Sequence, residues 1–190
     1  MPFEITDQVR LIYQECMKSR TTNHGVVFAI SRFDNNDDTL CYFFSQSYVD
    51  GISSVLMPFS RRFVKFQRIK RGQIRARDNP FGGHAEEKFI EYLVCSGRIP
   101  KSIELFISKI PCCAQSDPWE INYNGMKIEL PVGCGNKLQM IIRLTPFIQW
   151  AIAYDEEYDG QMQVNCMSIM EDIKKLKNVT VEKINVTYNK

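Results

Sequence analysis

The stretch FIQWAIAYDEEYDGQMQVNCMSIMEDIKKLKNVTVEKINVTY, residues 147–188, decides the fold. Phe147–Tyr154 is a mostly apolar run, as expected of a strand covered on both faces. Asp155–Gly160 is a polar loop. Met162, Cys166, Ile169, Met170, Ile173 and Leu176 then fall at helical spacing through Met162–Lys177, and Val179–Tyr188 alternates as a strand. A full helix between the two strands predicts that they run parallel through a right-handed crossover.

The remaining elements follow from the same periodicities. Leu138, Ile141 and Ile142 mark a short helix stopped by Thr145-Pro146, and Ile103–Ile110 reads as a strand. Ala85, Phe89 and Leu93 predict a helix that ends near Gly97, with Pro100 just beyond. Val26–Phe33 and Thr39–Gln46 are rich in β-branched and aromatic residues and flank the polar turn Asp34–Asp38, which makes a hairpin. Ile5, Val9, Ile12, Tyr13 and Cys16 form the apolar stripe of a helix over Phe3–Arg20. Pro111–Gly133 is punctuated by Pro118, Gly125, Pro131 and Gly133 and reads as a loop with a small hairpin around Asn124-Gly125. The expected architecture is α/β: a three-layer α/β/α sandwich on a mixed five-stranded sheet whose last two strands are parallel.

Composition sets the bounds. The chain has 190 residues, 44% of them hydrophobic and 24% charged, enough apolar side chain for one core and a single domain over 1–190. Its apolar runs fall short of the roughly 20 residues that cross a bilayer. Met1–Arg10 carries Glu4 and Asp7 where a secretory leader needs basic residues and then an apolar run, so neither membrane insertion nor export is expected. A net charge of +2 excludes a general nucleic-acid coat. The positive charge is nevertheless local: Arg61, Arg62, Lys65, Arg68, Lys70, Arg71, Arg75 and Arg77 stand in a run without an acid, while Asp155, Glu156, Glu157 and Asp159 cluster late. Seven cysteines in such a chain point to reduced thiols or metal ligands and to a reducing compartment, the cytoplasm or nucleus. Cys16, Cys41, Cys95 and Cys166 sit on apolar faces and read as small buried hydrophobes.

The residues that carry chemistry lie at the starts of two helices. Gly83-His84-Ala85-Glu86 puts an imidazole and a carboxylate on one opening turn, close enough to serve a metal-bound water. Ser108-Lys109-Ile110-Pro111-Cys112-Cys113 ends the next strand, and Cys134 opens the helix after it. One histidine and two cysteines so placed can build a zinc site that keeps a fourth position for water.

This arrangement resembles the zinc-dependent cytidine deaminase superfamily and, within it, the AID/APOBEC-like polynucleotide deaminases, whose signature is H-x-E followed by P-C-x-x-C. His84-Ala85-Glu86 and Pro111-Cys112 match. Gln115 stands where the second cysteine belongs, so residues 113–133 read as an insertion, after which Cys134-Gly135-Asn136-Lys137-Leu138 resumes the helix. The vertebrate-type Ser-Trp-Ser before Pro-Cys is absent, with Lys109-Ile110 in its place, which suits a divergent, novel AID/APOBEC-like branch. The resemblance covers residues 23–188 and implies that His84, Cys112 and Cys134 hold zinc, with Cys113 the alternate for Cys112. It also implies that Glu86 takes a proton from water and passes it to the cytosine ring nitrogen and then to the leaving ammonia.

Substrate contacts are implied in the same way. Tyr154 stacks on the target base and Asp155 bonds the preceding one, or both simply begin a solvated acidic loop. Asn23 and His24 contact sugar and backbone, or form a turn leading into the first strand. Arg61, Arg62, Lys65 and Arg68, interleaved with Phe63 and Phe66, neutralise phosphates and offer stacking faces. The expected activity is deamination of cytosine to uracil in single-stranded DNA or RNA. A deaminase of free nucleosides or nucleotides, and a catalytically silent nucleic-acid-binding relative, are the two other readings.

Overall fold

The computed structural model describes residues 2–22, 26–45, 56, 83–113, 119–123 and 126–184. Along these the elements are α1 (Asp7–Thr22), β1 (Phe28–Phe33), β2 (Asn36–Phe44), α2 (Ala85–Cys95), β3 (Ser102–Lys109), β4 (Trp119–Tyr123), β5 (Met126–Leu130), α3 (Cys134–Leu144), β6 (Gln149–Glu156), α4 (Gly160–Lys174) and β7 (Val179–Lys183). Five strands make one mixed sheet in the order β2-β1-β3-β6-β7, and β4 and β5 pair only with each other. β1 is antiparallel to both neighbours, whereas β3, β6 and β7 are parallel, with Trp150 opposite Ile103 on one side and Val179 on the other. The α4 crossover thus sets the last two strands parallel, as residues 147–188 predict.

Alternation along the strands sorts side chains into two cores. Ile103, Leu105 and Ile107 of β3 and Trp150, Ile152 and Tyr154 of β6 face α2, α3 and α4. Phe106, Ala151 and Ala153 point the other way, under Val9, Ile12, Tyr13 and Cys16 of α1. The small alanines leave room for the aromatic cluster in which Tyr13 meets the rings of Phe28 and Phe106 edge-on. Helices on both faces make the three layers. Among the described residues no helix is long and apolar enough to cross a membrane.

Several boundaries move for identifiable reasons. α1 begins at Asp7 rather than Phe3, because the Thr6 hydroxyl accepts the Val9 N–H and caps the helix. Phe3 is buried all the same, its N–H donating to Glu182. The β1–β2 connection is only Asp34-Asn35, both at positive φ (56° and 53°), so residues 36–38 extend β2 instead of lengthening the turn. Two successive left-handed residues match the right-handed twist of a hairpin, and Asp and Asn tolerate them. Asp34 further accepts the N–H groups of Lys101 and Ser102. The expected hairpin within residues 113–133 is present as β4 and β5, while Asn124-Gly125 and the predicted end of β7 at 185–188 lie outside the described residues.

Arg32 and Glu104, both buried on the α1 side, form a 2.5 Å ion pair, and Arg32 also reaches Asp37 at 2.8 Å. Glu104 in turn accepts the Glu4 N–H, tying the segment before α1 to β3. Removing one partner of such a pair strands a desolvated charge, so Arg32→Met is expected to lose about 3–5 kcal/mol of stability in a denaturant titration, with metal binding intact.

Candidate metal centre

His84 precedes α2 in an extended conformation (φ −73°, ψ 154°), the backbone geometry of a helix N-cap. Its N–H donates to the Glu87 carboxylate at 3.2 Å, half of a capping box that fixes how the imidazole leaves the helix. Cys112 is delivered by β3. There the Ile110 N–H donates to the Glu156 carbonyl, holding the departing chain against β6, and the Cys112 carbonyl accepts the Gly135 N–H at 2.8 Å. Cys134 is the first residue of α3. A Cβ on Gly135 would stand 3.1 Å from Ile169 Cγ2 and 3.5 Å from the Cys112 carbonyl oxygen, so glycine lets the start of α3 press between Cys112 and α4.

These three placements bring His84 Nδ1 within 3.5 Å of Cys112 Sγ and 3.3 Å of Cys134 Sγ, and all three donor atoms lie within 4.8 Å of one another. A tetrahedral ion bonded to sulfur and imidazole nitrogen spans N···S edges of about 3.6 Å. The residues therefore fit a metal ion, and one nitrogen with two sulfurs is a borderline-soft donor set. Without metal the cluster shares protons: hydrogen bonds, foremost from Cys134, hold the Cys112 thiol down at about 4. His84 is raised to about 9, chiefly by its hydrogen bond to Cys112, and Cys134 is pushed far up by the same partner. A divalent cation takes the place of such protons.

Two adjacent carboxylates on α2 have different surroundings. Glu87 is buried and bonded to Lys137 of α3, whose ammonium is likewise buried. Glu86 is 3% exposed and has no ion-pair partner among the described residues. Burial, more than anything else, lifts its carboxyl to about 7, and the charge on Cys112 adds to that. The Glu87–Lys137 pair joins the two helix starts that present His84 and Cys134. Lys137→Met is expected to weaken zinc binding by about 10–100-fold, the range for losing the support of a metal ligand, and to lower stability by about 3–5 kcal/mol, read by competitive chelation and thermal melting.

Cys112 is the cysteine that faces His84. Cys113 is buried, its sulfur 3.4 Å from that of Cys166 in the core. Tyr154 lies on the face of the sheet that carries α2, α3 and α4, buried, with its hydroxyl on Met167. Asp155 is on the opposite side, accepting the Tyr13 hydroxyl at 3.0 Å, so it is not brought to the three donors. Asn23, His24, Arg61, Arg62, Lys65 and Arg68 lie outside the described residues. Four residues around the site are not singled out by its motifs. Glu87 and Lys137 are two; the spacing His84-x-x-Glu87 is the local signal for the first. Tyr158 and Lys109 are the others: Lys109 Nζ sits 4.2 Å above the Tyr158 ring. Burial first, and then the negative charges of Cys112 and Glu86, raise the Tyr158 phenol.

No protein-family model and no curated relative matches this chain. A His/Cys/Cys cluster on a mixed five-stranded sheet is compatible with a deaminase-like fold.

Proposed function

We propose that the chain is a zinc-dependent deaminase, of the AID/APOBEC-like kind, that hydrolyses cytosine to uracil in single-stranded DNA or RNA. The observation that carries this reading is the convergence of His84, Cys112 and Cys134 beside Glu86, a buried carboxylate with no cation partner among the described residues. Imidazole and two thiolates are a zinc donor set, and zinc bound there supplies Lewis acidity toward water. Among the described residues three protein donors converge, which suits a catalytic centre better than a closed structural one.

Glu86 carries the protons. It accepts one from the attacking water and donates it to the cytosine ring nitrogen, then takes the second from the hydroxyl added at the ring carbon and delivers it to the amine, which leaves as ammonia. Water is consumed and uracil and ammonia are formed, with no change of oxidation state. Glu87, neutralised by Lys137, is a positioning group for His84. Thiolate donors persist only while reduced, which fits the cytoplasm or nucleus.

The test is uracil formation by zinc-loaded protein from DNA and RNA oligonucleotides holding one cytosine, with cytidine and deoxycytidine alongside. Uracil in an oligonucleotide is the expected result and names the preferred sugar. Conversion of the free nucleosides alone would move the assignment to a nucleoside deaminase, and binding of oligonucleotides without any conversion would support the silent relative.

A further inference from the structure

β3 alternates Ile103, Leu105 and Ile107 onto the face that carries α2, α3 and α4, and Lys109 continues that series as the last residue of the strand. It stands three residues before Cys112, at the carboxyl end of the parallel strands, where open α/β sheets bind ligands. Its ammonium lies over the ring of Tyr158, which packs against the core that contains Cys113 and Cys166. Two acids at the end of β6 and just after it are already engaged. Glu156, opposite Lys109 in the β3–β6 ladder, is held by both guanidinium nitrogens of Arg20, and Glu157 by Lys183 at 3.0 Å. The buried cations Arg32 and Lys137 each have a carboxylate, whereas Lys109 is half-buried with an aromatic face and no carboxylate among the described residues. A cation fixed in this way, three residues before Cys112 and over a ring that feels the charge of Cys112, is arranged for an anion brought by the substrate.

We propose that Lys109, held over Tyr158, binds a phosphate group of the nucleotide whose base enters the metal site, so that the substrate is recognised as a nucleotide unit rather than as a bare nucleoside. The identity of the base rests on the deaminase reading above; the phosphate contact does not. An ammonium–phosphate bond is charge-assisted and, in a partly desolvated site, separates phosphorylated from unphosphorylated ligand by about tenfold or more. The ring keeps the flexible lysine stem in place through cation–π attraction.

The experiment uses the zinc-loaded full chain carrying Glu86→Gln, which blocks turnover, and compares calorimetric binding of deoxycytidine monophosphate with that of deoxycytidine. The monophosphate is expected to bind about tenfold tighter, Lys109→Met to remove that preference without weakening deoxycytidine, and Lys109→Arg to restore it. Equal affinity for the two ligands, no binding of either, or a preference that survives Lys109→Met would overturn the proposal. An oligonucleotide arm, with a neutral methylphosphonate placed in turn on either side of the cytidine, separates a phosphate of the polymer from that of a free nucleotide. Loss of affinity at one linkage, absent in Lys109→Met, assigns the contact to the polymer; loss at neither, with the monophosphate preference intact, assigns it to a free nucleotide. Lys109-dependent phosphate preference in a chain that forms no uracil would retire the deaminase reading and leave this one standing. Uracil formation indifferent to Lys109 would do the reverse.

Discussion

Glu86→Gln is expected to lower the rate of uracil formation by about 10²–10⁴-fold, the range that a positioned proton carrier contributes, while zinc content stays at that of the parent. Glutamine keeps the volume and the hydrogen-bonding reach of glutamate but cannot take a proton from water. The substitution also removes a carboxylate that is almost fully buried without an ion-pair partner among the described residues, so the melting temperature should hold or rise. That combination separates a catalytic role from a structural one. A structural glutamate would, on substitution, take stability or metal with it. Single-turnover kinetics and a thermal melt on the same preparation read both quantities, and equal rates for variant and parent would remove Glu86 from the mechanism.

Cys134→Ser is expected to be the most damaging change at the metal itself. Its sulfur is one of the three donors found among the described residues, and a serine hydroxyl is not ionised near neutral pH, so affinity should fall beyond the roughly 10–100-fold that loss of a supporting group costs. Serine is small and polar and sits without strain in the first turn of a helix, so α3 itself should still form. Cys113→Ser is the matched control. Its sulfur lies against Cys166 in the core, so burying a hydroxyl there should cost about 1–3 kcal/mol of stability and leave one zinc per chain. Metal analysis of the two purified proteins beside the parent checks this; zinc lost from Cys113→Ser and kept in Cys134→Ser would exchange the roles assigned to the two residues.

What the sequence made legible was local in origin. The β6–α4–β7 crossover follows from periodicity and from the length of its connection, and the His84-x-Glu86 and Pro111-Cys112 elements announce themselves by spacing within a few residues. Cys134 falls into register with the motif only when residues 113–133 are inserted, and the hairpin of β4 and β5 occupies that interval. The Glu87–Lys137 pair was not legible, because its partners are 50 residues apart and meet only when two helix starts are packed together. The resemblance implies that Tyr154 stacks on the target base and Asp155 bonds the preceding one. Alternation of side chains along β6 puts them on opposite faces of the sheet, a signal that was present in the sequence and outweighed by the resemblance. The short Asp34-Asn35 turn was hidden for another reason, since the polar residues 36–38 look like loop although they continue the exposed end of β2.

Anomalous scattering at the zinc absorption edge, from crystals of the full chain grown with zinc, bears on the metal assignment itself. One peak is predicted within bonding distance of His84 Nδ1, Cys112 Sγ and Cys134 Sγ, with the Glu86 carboxylate close by but not bonded. A peak that leaves out Cys134, a peak bonded to Glu86, or no peak at these residues in zinc-saturated protein would contradict the assignment of the centre and the deaminase chemistry built on it.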